Sequence, residues 1–248
     1  MIRTLQDVVA AFQFLTRLPL SWLPYRLDSL SRTAKFFPLV GLALGGAMAG
    51  IYFVLSPHLP ALVVAFLIVL FSALATGGMH EDGLADVADA FGGGWDKRKV
   101  LDIMKDSRLG SYGALAIVFS ISARVLLLAN LPSGSFVQYA ICAEVIGRWT
   151  VLPLGMALPA ARKEASLGAR FASQISGLSL AVGTLLALAI VGYFLRMSMW
   201  IPIVAAVLVT LLSGLYYKRR IGGVTGDCFG ATIHLTLIAV YLCGVWRG

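Results

Sequence analysis

The sequence predicts an all-α membrane protein, a polytopic bundle of about seven transmembrane helices with an amphipathic helix at its N-terminus. Hydrophobic residues make up 59% of the 248 residues and charged residues only 13%. Soluble domains are about 45 to 50% apolar and about 25% charged. Long apolar runs alternate with short basic clusters, so most of the surface is expected to face lipid.

The predicted spans are stretches of about 20 apolar residues, the length that crosses a hydrocarbon core about 30 Å thick. Ahead of them, Leu5, Val8 and Phe12 repeat at helical spacing, which predicts an interfacial helix. The apolar run is interrupted only briefly at 197–199, so a re-entrant hairpin is an alternative to two separate spans in this region. Residues 1–248 form one integral membrane domain, with spans near 36–55, 60–79, 111–130, 135–156, 177–196, 199–217 and 229–246.

The basic clusters predict the orientation of the bundle. The net charge of +8 does not indicate nucleic-acid binding, because the cations are divided among short loops rather than along one polar face. Cytoplasmic loops are enriched in Lys and Arg. The N-terminus is therefore predicted in the cytosol and the C-terminus in the periplasm. The cytosolic cations are Arg3, Arg17, Arg26, Arg32, Lys35, Lys97, Arg98, Lys99, Lys105, Arg108, Arg162, Lys163, Arg170, Lys218, Arg219 and Arg220; Arg196 and Arg247 lie opposite.

The second loop, residues 80–110, carries seven of the twelve acidic residues and is predicted to hold the catalytic site. If 80–91 is helical, Asp82, Asp86 and Asp89 share one face. Such like charges repel each other, and a divalent cation would compensate them. Oxygen ligands favour Mg²⁺, with Mn²⁺ as an alternative. Glu81 is a fourth candidate ligand, and a solvated acidic face is the alternative to a metal site.

Two further residues have open roles at this site. His80 could act as a general base, as a partner of a carboxylate, or as an ordinary interfacial histidine. Asp227 lies in the sixth loop, which the charge pattern places on the same side as the acidic loop. It is a candidate for completing the metal or substrate site, and helix capping is the alternative.

The remainder of the second loop has features that suit a pyrophosphate. Gly92 and Gly93 belong to a glycine run whose backbone amides could face an anion, and a flexible turn is the alternative. Lys105, Asp106 and Arg108 follow in a charged segment. These five residues are the candidate substrate contacts of the loop.

Charged residues also occur inside predicted spans. Glu144 and Arg148 are four residues apart, and Arg124 lies in the span before them. A lone charge in a membrane is costly, so we expect internal ion pairs first and substrate contact second. His234, in the last span, is interpreted as a packing residue.

Two segments resemble one enzyme family specifically. They read TGGMHEDGLADVAD at 76–89 and IMKDSRLGSYG at 103–113. Together with shorter matches from 14–19 to 222–231, they resemble the cobalamin synthases, also called adenosylcobinamide-GDP ribazoletransferases. The likeness extends over most of the chain.

The resemblance implies a Mg²⁺-dependent enzyme of the bacterial inner membrane. Such enzymes join adenosylcobinamide-GDP to α-ribazole or its 5′-phosphate, giving adenosylcobalamin or its 5′-phosphate and GMP. For this reaction, the residue pattern described above predicts that Asp82, Asp86 and Asp89 hold metal against the pyrophosphate, while Lys105 and Arg108 offset charge on the leaving phosphate. An aspartate or His80 would take the hydroxyl proton. Whether the protein forms homo-oligomers is left open.

Two alternatives fit less well. CDP-alcohol phosphotransferases carry D-x-x-D-G-x-x-A-R, but here Met79 stands at the first aspartate and no arginine follows the alanine. An ion or metabolite transporter would place its key charges near the middle of the membrane. Most acidic residues lie in one cytosolic loop instead, which favours an enzyme.

Overall fold

The computed structural model describes residues 2–20, 30–162 and 175–246, and it confirms the all-α membrane fold. Within these ranges the only β contact is an isolated bridge between Ala160 and Val224. Four cations used for the orientation, Arg26, Lys163, Arg170 and Arg247, lie outside the described residues. The helices are α1 (Ile2–Leu15), α2 (Leu30–Thr33), α3 (Phe37–Leu55), α4 (Ala61–Thr76), α5 (Met79–Gly93), α6 (Lys97–Ile103), α7 (Ser111–Ala129), α8 (Phe136–Trp149), α9 (Val151–Ala157), α10 (Gly177–Leu195), α11 (Trp200–Ile221) and α12 (Gly226–Trp246).

The amphipathic helix α1 packs against the start of the bundle. Ala11 and Leu15 are buried, whereas Leu5 is exposed. Asp7 is buried beside two cations that precede α3, with Arg32 at 3.7 Å and Lys35 at 3.9 Å. These contacts fix α1 close to the first span.

The lengths of the helices limit how many times the chain can cross a membrane. Among the described residues, five helical stretches are long and apolar enough to span a membrane: Ala34–Leu55, Ser111–Ala129, Phe136–Ala157, Gly177–Ile221 and Gly226–Trp246. Helices α4 and α5 pass the same test together, but they are bent by 89°. The stretch Gly177–Ile221 has 45 residues, about 68 Å of helix, more than twice a hydrocarbon core. Seven crossings require this stretch to cross twice, and the count stays a prediction.

The bend between α4 and α5 is made by two glycines. Gly77 and Gly78 have φ of 69° and 70°, in the left-handed region that glycine adopts without a steric penalty. Gly77 ends α4, and Gly78 precedes the first residue of α5. Because α5 turns away from α4, we treat α5 as lying outside the membrane-spanning segments.

Helix α8 lies at the centre of the bundle against α3. A Cβ atom added to Gly45 would come within 2.5 Å of the Ile141 Cα, so the two backbones are in direct contact. Gly41 makes the same close approach one turn earlier, at Glu144. The small-residue spacing along α3 therefore permits close helix packing.

The orientation gives a first testable prediction. A reporter fused after Arg247 should be active only outside the cytosol, because the basic loops retain the opposite side of the bundle inside. A matched reporter inserted after Lys105 should be active only in the cytosol. Cytosolic activity of the C-terminal fusion would mean that the number of crossings is even.

Candidate active site

Helices α5 and α12 approach each other through glycines at the acidic end of the bundle. A Cβ atom at Gly83 would lie 3.0 Å from the backbone of Asp227, and one at Gly230 would lie 3.2 Å from the Cα of His80. Larger residues at these positions would push the helices apart. The glycines therefore bring Asp227 beside the carboxylates of α5.

The resulting cluster contains Asp82, Asp86 and Asp227. Burial, followed by the negative charges of Asp82, Asp227 and Asp89, raises the pKa of Asp86 to about 7. Thr225 donates a hydrogen bond of 3.1 Å to Asp227. The repulsion that raises this pKa is relieved when a cation replaces the proton. Asp227 thus joins the predicted acidic site, in addition to starting the last helix.

Asp89, at the other end of this face, has partners of its own. Its carboxylate accepts hydrogen bonds of 2.8 Å from the backbone amides of Gly110 and Gly113. These bonds tie the second half of α5 to the first turn of α7. Direct binding of metal by Asp89 stays a prediction.

Glu81 points in the opposite direction, into the bundle. Its Oε1 lies 3.2 Å from Arg124 Nη1 and 3.4 Å from His234 Nε2. Its Oε2 is buried without a hydrogen-bond partner among the described residues. The predicted role of Glu81 as a metal ligand is not tested by this arrangement.

The ion pairs expected inside the spans are present. Arg148 pairs with Glu144 within one helix, and Arg124 lies 3.9 Å from the same carboxylate. Arg124 also donates a 3.0 Å hydrogen bond to Ser72 of α4. These contacts, together with the one to Glu81, connect α4, α5, α7 and α8. Arg124, Glu144 and Arg148 are almost fully buried.

His234 is buried, as a packing residue would be, and it also makes polar contacts. Besides Glu81, it contacts Ser120 of α7 at 3.0 Å. The sequence contains a usable signal, because His234 follows Asp227 by seven residues and hence lies on the same face of α12. A histidine at that spacing from a candidate aspartate can therefore be expected to lie close to the site and to contact its residues.

The predicted substrate loop is arranged differently from a glycine-rich turn. Gly92 and Gly93 lie within α5, and a Cβ atom at Gly92 would come within 2.6 Å of the Tyr112 ring. Asp106 and Arg108 form an exposed ion pair, and hydrogen bonding from Arg108 lowers the pKa of Asp106 to about 2.

Lys105 is exposed in the loop between α6 and α7. Its contact with substrate stays a prediction, as do the contacts of Gly92, Gly93 and the exposed Asp106–Arg108 pair. The glycines with left-handed backbones near the acidic cluster are instead Gly77 and Gly78.

Arg162 is a cation near the acidic cluster that the sequence indicated only as an orientation signal. Its charge acts favourably on Asp86 and Asp227. Its Nη2 donates a 3.0 Å hydrogen bond to the carbonyl of Leu101, and its Nε is buried with no partner in the described part of the chain. No local motif distinguishes it from the other basic loop residues.

Two cavities share Asp82 among their lining residues, and we call this shared position their junction. The first, about 240 Å³, is mostly apolar, and His80, Asp82 and Asp227 are its polar lining residues. The second, about 510 Å³, is lined by Arg17, Gly77 and other polar groups. Phe14, Met79 and Asp82 line both cavities. His80 Nε2 is buried, with no hydrogen-bond partner among the described residues.

The chain matches proteins of one family along nearly its whole length. The family model described as cobalamin-5-phosphate synthase matches residues 7–245. A relative from Clostridium botulinum (strain Kyoto / Type A2) is 37% identical over 240 residues, covering 96% of each chain. A Vibrio cholerae relative (strain ATCC 39315) is 35% identical over 96% of this chain and 92% of its own length. A Thermoanaerobacter pseudethanolicus relative is 32% identical over 97% of each. All three carry the name adenosylcobinamide-GDP ribazoletransferase. No solved structure matches the chain.

Proposed function

This chain belongs to the cobalamin-5-phosphate synthase family, and we propose that it is a Mg²⁺-dependent adenosylcobinamide-GDP ribazoletransferase of the bacterial inner membrane. The observation that carries the proposal is the carboxylate cluster of Asp82, Asp86 and Asp227, which borders two cavities of different polarity. Phosphoryl transfer requires a place where a donor phosphate and an acceptor hydroxyl meet. The junction of the cavities at Asp82 supplies such a place.

The proposed reaction is a displacement at phosphorus. The ribose 3′-hydroxyl oxygen of α-ribazole, or of its 5′-phosphate, forms a bond to the phosphorus attached to the cobinamide aminopropanol. The bond from that phosphorus to the bridging oxygen of GMP breaks. GMP leaves with the electron pair, and the hydroxyl proton passes to a base. His80 and Asp82 line the apolar cavity and are the candidate bases.

The carboxylates of the cluster suit a divalent cation that is coordinated partly by the protein and partly by the substrate. No group of three or more potential ligands forms a ready site in the described ranges. Mg²⁺, however, commonly binds through one or two carboxylates, with water and substrate phosphate completing its shell. One or two of the carboxylates of Asp82, Asp86 and Asp227 would hold it, and when bound it supplies charge neutralisation for the pyrophosphate and the departing GMP.

The cations of the site provide the remaining stabilisation. Arg162 places a positive charge near Asp86 and Asp227, and it is proposed to offset part of the negative charge of the reacting phosphate at the metal site. Lys105 and Arg108 lie in the exposed loop on the same side and are proposed to contact the GMP portion. The basic loops are proposed to place this whole site at the cytosolic face.

A substrate comparison tests the proposed function. Purified, folded protein with Mg²⁺ should convert adenosylcobinamide-GDP and α-ribazole to cobalamin and GMP. The same protein should release no CMP from a CDP-alcohol, because its sequence lacks that family's motif. Absence of corrinoid product, with both substrates and metal supplied, would overturn the assignment. CMP release would favour the CDP-alcohol class instead.

A further inference from the structure

The apolar cavity beside Asp82 lies between α1, α3, α5, α9 and α12. Its walls include Phe14, Phe37, Val151, Phe229 and Ile233. The rings of Phe14 and Phe37 are stacked, with centroids 5.8 Å apart and planes 12° apart. The cavity therefore offers flat aromatic and branched aliphatic surfaces, and its charged or titratable side chains in the described part of the chain are His80, Asp82 and Asp227.

We propose that this cavity binds the aromatic base of the acceptor nucleoside and thereby selects the base by its size. The inference rests on the proposed function and assigns each substrate to a different side of Asp82. The base occupies the apolar cavity, and the phosphates of the donor occupy the polar cavity that contains Arg17.

The chemistry of the acceptor matches the apolar cavity. A ribazole carries an uncharged, flat, methyl-substituted aromatic base, which loses little on leaving water and gains contact with apolar walls. Its ribose must extend from the base toward the reacting phosphorus. His80 and Asp82 line the same cavity as the aromatic walls, so a base bound against those walls would have its ribose close to these two residues.

The donor phosphates suit the other cavity better, because most side chains that line this one are apolar. Its two carboxylates, Asp82 and Asp227, belong to the proposed metal site, and no Lys or Arg is among its lining residues in the described part of the chain. The second cavity contains Arg17 and the backbone turn at Gly77 and Gly78. An anionic group is therefore favoured on that side of Asp82.

Narrowing the cavity tests this assignment. Val151→Phe adds volume to its wall without changing a charged residue. The catalytic efficiency with α-ribazole should fall about 10-fold more than that with the riboside of unsubstituted benzimidazole, which lacks the two methyl groups. The KM for adenosylcobinamide-GDP should stay within about twofold of the wild-type value.

Two further variants distinguish a size effect from damage to the fold. Leu235→Phe makes a similar change at an exposed position of α12, and it should leave the preference between the two acceptors unchanged. Val151→Ala widens the cavity and should shift the preference toward the larger base. It also serves if the phenylalanine variant does not fold.

The outcomes separate this inference from the proposed function. Equal loss with both acceptors, an unchanged preference, or a rise only in the KM for the donor would overturn the base assignment while the enzyme remains a ribazoletransferase. An unchanged preference is also the result expected if lipid fills the cavity. Wild-type protein that is inactive with either acceptor would instead overturn the proposed function.

Discussion

Asp82→Asn should reduce turnover by a factor on the order of 10² to 10³ or more, with membrane insertion intact. Asp82 is exposed at the junction of the two cavities, so the change removes a charge from the reacting centre without removing a packing contact. Preorganised charges at a reacting phosphate typically contribute factors of this size. The measurement is the rate of cobalamin formation at saturating concentrations of both substrates and Mg²⁺.

Asp102→Asn is the matched control for this variant. Asp102 is also exposed, belongs to the same polar loop and loses the same charge. Its rate should stay within about twofold of wild type, because most surface substitutions change little. Near-normal turnover by both Asp82→Asn and Asp86→Asn would return the acidic face to the interpretation of a solvated helix surface.

Arg124→Met should destabilise the folded protein strongly, by about 3 to 5 kcal/mol, the usual cost of removing one partner from a buried ion pair. Arg124 is 1% exposed and lies between Glu81 and Glu144. Its loss leaves the buried Glu144 paired with Arg148 and the partly buried Glu81 with His234 as its remaining partner among the described residues. The free energy of unfolding in detergent, or the folded fraction after membrane extraction, measures the effect.

The double variant Glu81→Gln with Arg124→Met provides the control. It removes one charge of each sign and leaves the Arg148–Glu144 pair in place, so most of the lost stability should return. Arg108→Met, at an exposed arginine, should leave the free energy of unfolding close to that of the wild type. A double variant as unstable as Arg124→Met would contradict a charge-compensation role for Arg124.

The acidic face could be predicted from sequence because its information is local. Helical spacing identified Asp82 and Asp86 as neighbours, and the structure indeed has a helix over Met79–Gly93. The loop charges indicated that Asp227 faces the same side. The glycine contacts at Gly83 and Gly230 then explain how it comes close.

Other parts of the site depend on contacts between distant segments. The inward direction of Glu81 is set by Arg124 and His234, which come from two other helices. Asp89 accepts hydrogen bonds from two backbone amides only because the start of α7 lies beside it. No periodic pattern in the sequence predicts the position of Arg162 or the division of the site into two cavities.

The boundaries of the spans could likewise not be predicted from hydropathy alone. Apolar length predicted a helix ending near residue 79, whereas α4 ends at Thr76 and the chain bends at Gly77 and Gly78. Hydropathy detects the apolar residues but not a left-handed turn. The bend matters because it directs α5 toward α12 and so places the carboxylates beside Asp227.

Release of GMP, measured with and without the acceptor and the metal, is the most decisive observation. We predict that purified protein releases GMP from adenosylcobinamide-GDP only when α-ribazole is present, in equal amount to the cobalamin formed. Chelation of Mg²⁺ should lower the rate at least about 100-fold. GMP release that needs no α-ribazole, or cobalamin formation at an unchanged rate under chelation, would contradict a metal-assisted transfer at this carboxylate cluster.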